Sequence, residues 1–208
     1  MKFSDNDLAD LRNKIKEYMG EFRYKHTLGV EEFSVYLGQI LLPDCLSELR
    51  AAALLHDIAK EVSHEEQFAM LDSVGFALTD EDLSTLPALH SFSAVLLIRK
   101  SFPMYATDDV LSAVSKHTLG SSNMSLFDKI IFISDFAEPG RKYGSCIATA
   151  NFIKENITAD NSFKDNLKSL NKAIIMAIDY TIESLLQKNK KVHSSTELTR
   201  ITLTNDTI

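Results

Sequence analysis

His56 and Asp57 stand side by side after Ala51-Ala52-Ala53-Leu54-Leu55 and before Ile58-Ala59-Lys60. An imidazole and a carboxylate in such apolar surroundings lose their water, which is costly unless another group offsets the loss. A divalent cation does so. Four more residues of the same two types recur in apolar settings: His26, His90, His117 and Asp135. Read in order as H…HD…H…H…D, the set points to a metal-dependent phosphohydrolase. Mixed imidazole and carboxylate donors suit Fe, Mn, Co, Ni or Zn better than Mg or Ca, which take all-oxygen shells. A shell of this kind with open positions binds water, lowers its pKa and polarises a phosphoryl oxygen.

Each residue alone supports a plainer reading. His26, His90 and His117 taken singly are as readily core or surface histidines; the weight lies in the set. Asp135 interrupts Lys129-Ile130-Ile131-Phe132-Ile133-Ser134, where an unpaired carboxylate is expensive. It is either a metal ligand, or the partner of Arg141 or a helix cap. Lys60 follows His56 by four residues and Asp57 by three, offsets that share a helix face. It therefore either meets a phosphate oxygen in the same pocket or is a solvated helix end. His64 opens the polar run His64-Glu65-Glu66-Gln67 and His193 lies in the polar C-terminal segment. Both read as solvent-exposed, with no role.

The elements that must position these groups are helical. Of 208 residues, 45% are hydrophobic and only 7 are Gly and 4 Pro, which favours a sizeable core of long helices over turn-rich sheets. Ser4 and Asp7 form a capping box ahead of Leu8, Leu11, Ile15 and Met19 at helical spacing. A second helix is expected over Arg23–Ile40, and a third, capped by Asp44 or Ser47, up to Lys60. A fourth starts near Ser63 and ends before Gly75, and a short element spans Asp80–Leu86. Helices then follow over His90–Ser101, from Thr107 to about His117, over Leu126–Phe136, and over Ser145–Glu155 and Asn161–Gln187. Strand-like alternation occurs only around Leu198–Leu203. The reading is one all-α domain over 1–187, with irregular helix packing, and a polar tail over 188–208 that is open or docked.

Composition also sets limits. A net charge of −7 argues against a nucleic acid polymer as partner, since phosphate contacts need clustered Lys and Arg. It leaves room for a small anion at a local cationic site or metal. Cys45 and Cys146 lie far apart without a CxxC pattern, so they read as free thiols in a reducing compartment. The N-terminus has no apolar signal region, and no run approaches the roughly 18 apolar residues of a membrane span. The expectation is a soluble cytoplasmic protein with no membrane partner.

The order His26, His56-Asp57 and Asp135 resembles the HD-domain phosphohydrolase superfamily. Three longer strings and Lys116-His117-Thr118 sharpen it: Arg23-Tyr24-Lys25-His26-Thr27-Leu28-Gly29-Val30, Leu54-Leu55-His56-Asp57-Ile58-Ala59-Lys60, and Ile131-Phe132-Ile133-Ser134-Asp135-Phe136-Ala137-Glu138-Pro139-Gly140-Arg141. Together they are similar to the bacterial HD-domain symmetrical bis(5′-nucleosyl)-tetraphosphatases over about Arg23 to Arg141. The resemblance implies an all-helical fold, an iron-containing site and hydrolysis of diadenosine tetraphosphate to two ADP. It implies that His26, His56, Asp57 and Asp135 hold the principal metal. It implies that His90 and His117 complete a second metal site or contact phosphates, and that Lys60, Thr118 and Arg141 contact phosphates. One departure stands out: Thr199-Arg200-Ile201-Thr202 keeps the Arg of a C-terminal Arg-Asn pair and lacks the Asn.

The resulting expectation is attack of a metal-activated water on an inner phosphorus. Asp57 bridges two metals or orients the nucleophile, while Lys60, Arg141, His90 and His117 stabilise developing charge. The partner is a dinucleoside polyphosphate or another nucleotide, and a homodimer is left open. The rival readings are a deoxynucleotide or cyclic-nucleotide HD hydrolase, and a non-catalytic nucleotide-binding HD module.

Overall fold

A computed structural model describes residues 2–206, and among them eleven α-helices and no strand. The first helix, α1 (Asp5–Ile15), begins at the expected capping box: the Ser4 hydroxyl accepts the Asp7 N–H, and Asp7 accepts the Ser4 N–H. Its buried stripe, Leu8, Leu11 and Ile15, turns inward. Helix α2 (Glu21–Leu41) buries His26, Val30, Phe33 and Leu37 along one side and lies against α3 (Leu46–Leu55). Their close approach requires Gly38. A Cβ there would stand 2.6 Å from Leu49 Cδ1 and 2.9 Å from Leu46 Cδ2.

The middle of the chain adds α4 (His64–Asp72), α5 (Asp80–Ser84), α6 (His90–Ser101) and α7 (Asp108–Lys116). Thr107 caps α7 as its sequence suggests. Helix α8 (Leu126–Ala137) is apolar almost all round and contacts α2, α3, α7 and two later helices, α9 (Gly144–Asn156) and α10 (Phe163–Gln187). A helix that is hydrophobic all round belongs in a core. Ile130, Ile131 and Ile133 are fully buried there.

Three expectations about the helices need correction. The third helix stops at Leu55, so His56 through Lys60 form turns closed by Ile58 N–H to Leu55 O and Lys60 N–H to Asp57 O. The cause is local: His56 Nδ1 bonds the Ala53 carbonyl at 2.7 Å, the acceptor that a continued helix would offer to the Asp57 N–H. Neither Asp44 nor Ser47 caps α3. Cys45 is its N-cap without a side-chain bond, and the Ser47 hydroxyl instead accepts the N–H groups of Lys2 and Phe3. The alternation at Leu198–Leu203 is helical, within α11 (Ser194–Asn205).

Within the segment 188–208, α11 packs on α10 and buries Thr196, Thr199 and Leu203; residues 207 and 208 lie outside the described residues. His193 is buried, contrary to the exposed position expected. Its ring lies 3.3 Å from Asp82 on α5 and accepts the Ser195 N–H at the start of α11. His64 is exposed. Cys146 is buried, Cys45 half-buried, and both thiols are free. No helix among the described residues is long and apolar enough to cross a membrane.

Because Leu54 is fully buried on the helix that delivers His56, Leu54→Ala is expected to destabilise the fold by about 2–5 kcal/mol. Denaturant unfolding checks this, and a loss below 1 kcal/mol would mean the α3 face is not tightly packed.

Candidate metal centre

Five helices bring the chemistry-bearing residues to one place. His26 comes from the early part of α2, Asp135 from the last turns of α8, and His90 from the first residue of α6. His56 and His117 each occupy the residue just past a helix, α3 and α7. All four histidines and Asp57 are buried.

The ring orientations follow from hydrogen bonds at the other nitrogen. Nδ1 of His56, His90 and His117 lies 2.7, 2.8 and 2.7 Å from the carbonyls of Ala53, Pro87 and Val114, in each case three residues back. A carbonyl only accepts, so each Nδ1 carries a proton and each ring turns Nε2 inward. His26 is set in the same way by a carboxylate: its Nδ1 lies 3.1 Å from Glu138 Oε1. This is the arrangement by which outer hydrogen bonds orient metal-binding imidazoles.

The inward atoms crowd together. His26 Nε2 is 2.9 Å from Asp135 Oδ1 but not in hydrogen-bonding alignment with it, and His56 Nε2 is 3.7 Å from the same oxygen. Both nitrogens are buried without a hydrogen-bond partner among the described residues. Asp57 divides its oxygens: Oδ2 faces His56 at 3.6 Å and His26 at 3.9 Å, while Oδ1 faces His90 at 3.1 Å and His117 at 3.6 Å. The Nε2 atoms of His90 and His117 meet at 3.0 Å, and the Thr118 hydroxyl lies 3.2 and 3.0 Å from them. Three interlocking donor sets result, His26–His56–Asp57, His56–His117–Asp135 and Asp57–His90–His117, each with ligand atoms within 4.8 Å of one another. Orphaned buried lone pairs beside carboxylates fit a divalent cation, which supplies the partner that the protein does not.

The electrostatics agree. Burial pushes His56 and His90 down to about 4, keeping both neutral at pH 7. Burial also opposes ionisation of Asp57 and Asp135, but the histidines around them outweigh it and hold both carboxyls below the usual range. For His26 burial is again the largest influence, yet Asp135 and Glu138 overcome it and raise the ring's pKa.

Of the sequence candidates, Lys60 reaches the cluster by a route other than a shared helix face. From the turn after Asp57 its Nζ lies 3.2 Å from His90 Nδ1 and 3.3 Å from Nε2, and burial lowers its pKa. Arg141 bonds Asp135 Oδ1 at 2.8 Å and the Asp135 carbonyl at 2.9 and 3.1 Å. The ion pair and the approach of Asp135 to two histidines therefore coexist. The C-terminal Arg200 pairs instead with Asp179 on α10, an exposed contact.

Two residues escaped the sequence reading. Arg23 Nη1 lies 2.5 Å from Asp57 Oδ2. Glu138 is buried beneath His26, and its second oxygen accepts the Gly140 N–H. Gly29 makes room for it, since a Cβ there would collide with the Glu138 carboxylate. The available signal was position: both residues belong to the quoted strings around His26 and Asp135.

Known proteins resemble this chain in sequence and in fold. Residues 23–140 match the HD domain family. The symmetrical bis(5′-nucleosyl)-tetraphosphatase of Halalkalibacterium halodurans is 30% identical over 88% of this chain and 89% of its own length. The enzyme of that name from Bacillus subtilis is 29% identical over 89% of this chain and 91% of its own length. The crystal structure of a predicted HD superfamily hydrolase from Clostridium acetobutylicum, described as involved in NAD metabolism, superposes with a TM-score of 0.80. It is 32% identical, with 98% of each chain covered.

Two outcomes are expected. An imidazole in an unfolded chain titrates near 6.5, whereas His56 and His90 titrate at about 4 in the folded metal-free protein. Between those values the unfolded chain binds more protons, so stability falls as pH is lowered through that window. His26, with its raised pKa, works in the opposite direction but is one group against two. The Tm of metal-stripped protein should therefore drop from pH 7 to pH 5, and less steeply in His90→Gln; a flat or rising Tm would contradict this. Glu138→Ala should weaken metal affinity about 10- to 100-fold by releasing the His26 ring. Equal affinity in a competition titration would remove Glu138 from the account.

Proposed function

The chain belongs to the HD-domain phosphohydrolases, and on that footing we propose that it cleaves diadenosine tetraphosphate symmetrically into two ADP. The observation that carries the hydrolytic reading is the convergence of four inward-facing imidazoles on Asp57 and Asp135. The substrate is inferred from the similarity, over 88–89% of this chain, to enzymes named for symmetrical cleavage of bis(5′-nucleosyl) tetraphosphates.

His26, His56, Asp57 and Asp135 would hold the principal cation, with iron favoured by the family resemblance and Mn, Co, Ni or Zn as alternatives. His90 and His117, with the second oxygen of Asp57, would hold a second cation or meet phosphate directly. When bound, a cation lowers the pKa of water in the site and polarises a phosphoryl oxygen. The chain's own groups do the rest. Lys60, Arg141 and the Thr118 hydroxyl border the cluster and donate to non-bridging oxygens, where charge builds in the transition state. Asp57 fixes the spacing between the two halves of the cluster because its oxygens face both. Water oxygen joins one inner phosphorus, the central bridging P–O bond breaks, and the departing ADP leaves as an anion. The proton of the attacking water passes to solvent.

Product analysis on diadenosine tetraphosphate tests the reading. ADP alone is expected, and Asp57→Ala should lose both bound metal and turnover. AMP with ATP, or full activity in Asp57→Ala, would contradict it. The same panel should carry deoxynucleotides, cyclic nucleotides and NAD, the last because of the description attached to the Clostridium acetobutylicum structure. Faster turnover of any of these would replace the proposed substrate.

A further inference from the structure

A cavity of about 430 Å³ opens beside the metal centre, with His26 and Glu138 in its wall. Its size falls in the range of about 300–1,000 Å³ usual for small-ligand pockets. Two aromatic residues line it from different elements. Phe22 is on the first turn of α2 and is 82% exposed; Tyr143 is the N-cap of α9 and is 71% exposed. Neither ring is buried against the core, and both stand next to the residues that converge on Asp135. Three cations share the lining: Lys25, Arg141 and Lys142. Among the described residues Lys25 is tied only to Glu21, through an exposed ion pair, which is a weak restraint. Arg141 is paired with Asp135 and Glu138, and Lys25 with Glu21, which leaves Lys142 as the lining cation with no ion pair among the described residues.

Aromatic faces beside cations, adjoining a phosphate-handling centre, match the two ends of one ligand class. We propose that this cavity receives one nucleoside end of the substrate, with the base stacked against Phe22 or Tyr143 and the neighbouring phosphate met by Lys25 and Lys142. The inference rests on the nucleotide reading above and adds the place where the base is held. Every base has a π-face, so recognition by stacking selects a nucleotide over a bare polyphosphate without selecting adenine over guanine. Arg141 links the two regions, since it lines the cavity and bonds Asp135.

The test is equilibrium binding of ADP, GDP and inorganic pyrophosphate to the full-length, metal-loaded protein. At least one of Phe22→Ala and Tyr143→Ala should weaken ADP and GDP about 5- to 150-fold and leave pyrophosphate unchanged within about twofold. Tyr143→Phe should retain ADP affinity, because the ring and not the hydroxyl makes the contact. Lys142→Ala should weaken ADP and pyrophosphate alike. Unchanged ADP binding in both alanine variants overturns the proposal, as does an equal loss of pyrophosphate binding. Wild-type protein that binds ADP no tighter than pyrophosphate also overturns it. Product analysis on diadenosine tetraphosphate then judges the broader reading separately. Both rings are exposed, so their removal leaves the core intact, and an unchanged Tm confirms that the variants are folded.

Discussion

Everything in this fold answers to one electrostatic demand: six groups that prefer water are gathered where little water reaches. Four imidazoles and two carboxylates share the same small volume, and all but Asp135 belong to buried residues. The protein meets the demand in two stages. Outer bonds first settle the protons, through three backbone carbonyls and the Glu138 carboxylate at the Nδ1 atoms. Inward lone pairs and carboxylate oxygens then remain as a set of donors that a cation satisfies. Guanidiniums of Arg23 and Arg141 lie against the two carboxylates and share the charge balance.

This arrangement explains why the helices end where they do. His56 and His117 both sit just past a helix and both bond a carbonyl three residues back. The same contact orients the ring and occupies a carbonyl at the helix end. His90 uses the Pro87 carbonyl at the opposite kind of boundary, the start of α6. Helix termination is thus part of how the centre is built. The apolar α8 and the close α2–α3 approach at Gly38 hold those boundaries in register.

Much of this was legible in the residues. The capping box at Ser4, the start near Ser63 and the Thr107 start of α7 marked helix limits by local chemistry, which short stretches of sequence carry in full. The histidine and aspartate set was visible because such groups are unusual between apolar residues. The turn at His56–Lys60 was hidden, since a run of alanines and leucines gives no sign that a side chain will take the helix's own carbonyl. Arg23 and Glu138 were hidden because charged residues near a helix end look solvated until tertiary packing closes over them. His193 was misread for the same reason: its polar neighbours suggested solvent, but Asp82 and Glu81, distant in sequence, pack against its ring. The helix at α11 likewise depends on docking, because its Thr-rich sequence favours no helix by itself.

The central claim is that residues far apart in the chain share a cation. Anomalous diffraction from crystals of protein purified without oxygen, collected across the iron, manganese and zinc edges, addresses it directly. A peak is expected about 2.0–2.2 Å from His26 Nε2, His56 Nε2 and the nearest oxygens of Asp57 and Asp135. Density for a cation held elsewhere, or these four side chains spread too widely to meet one ion, would contradict it.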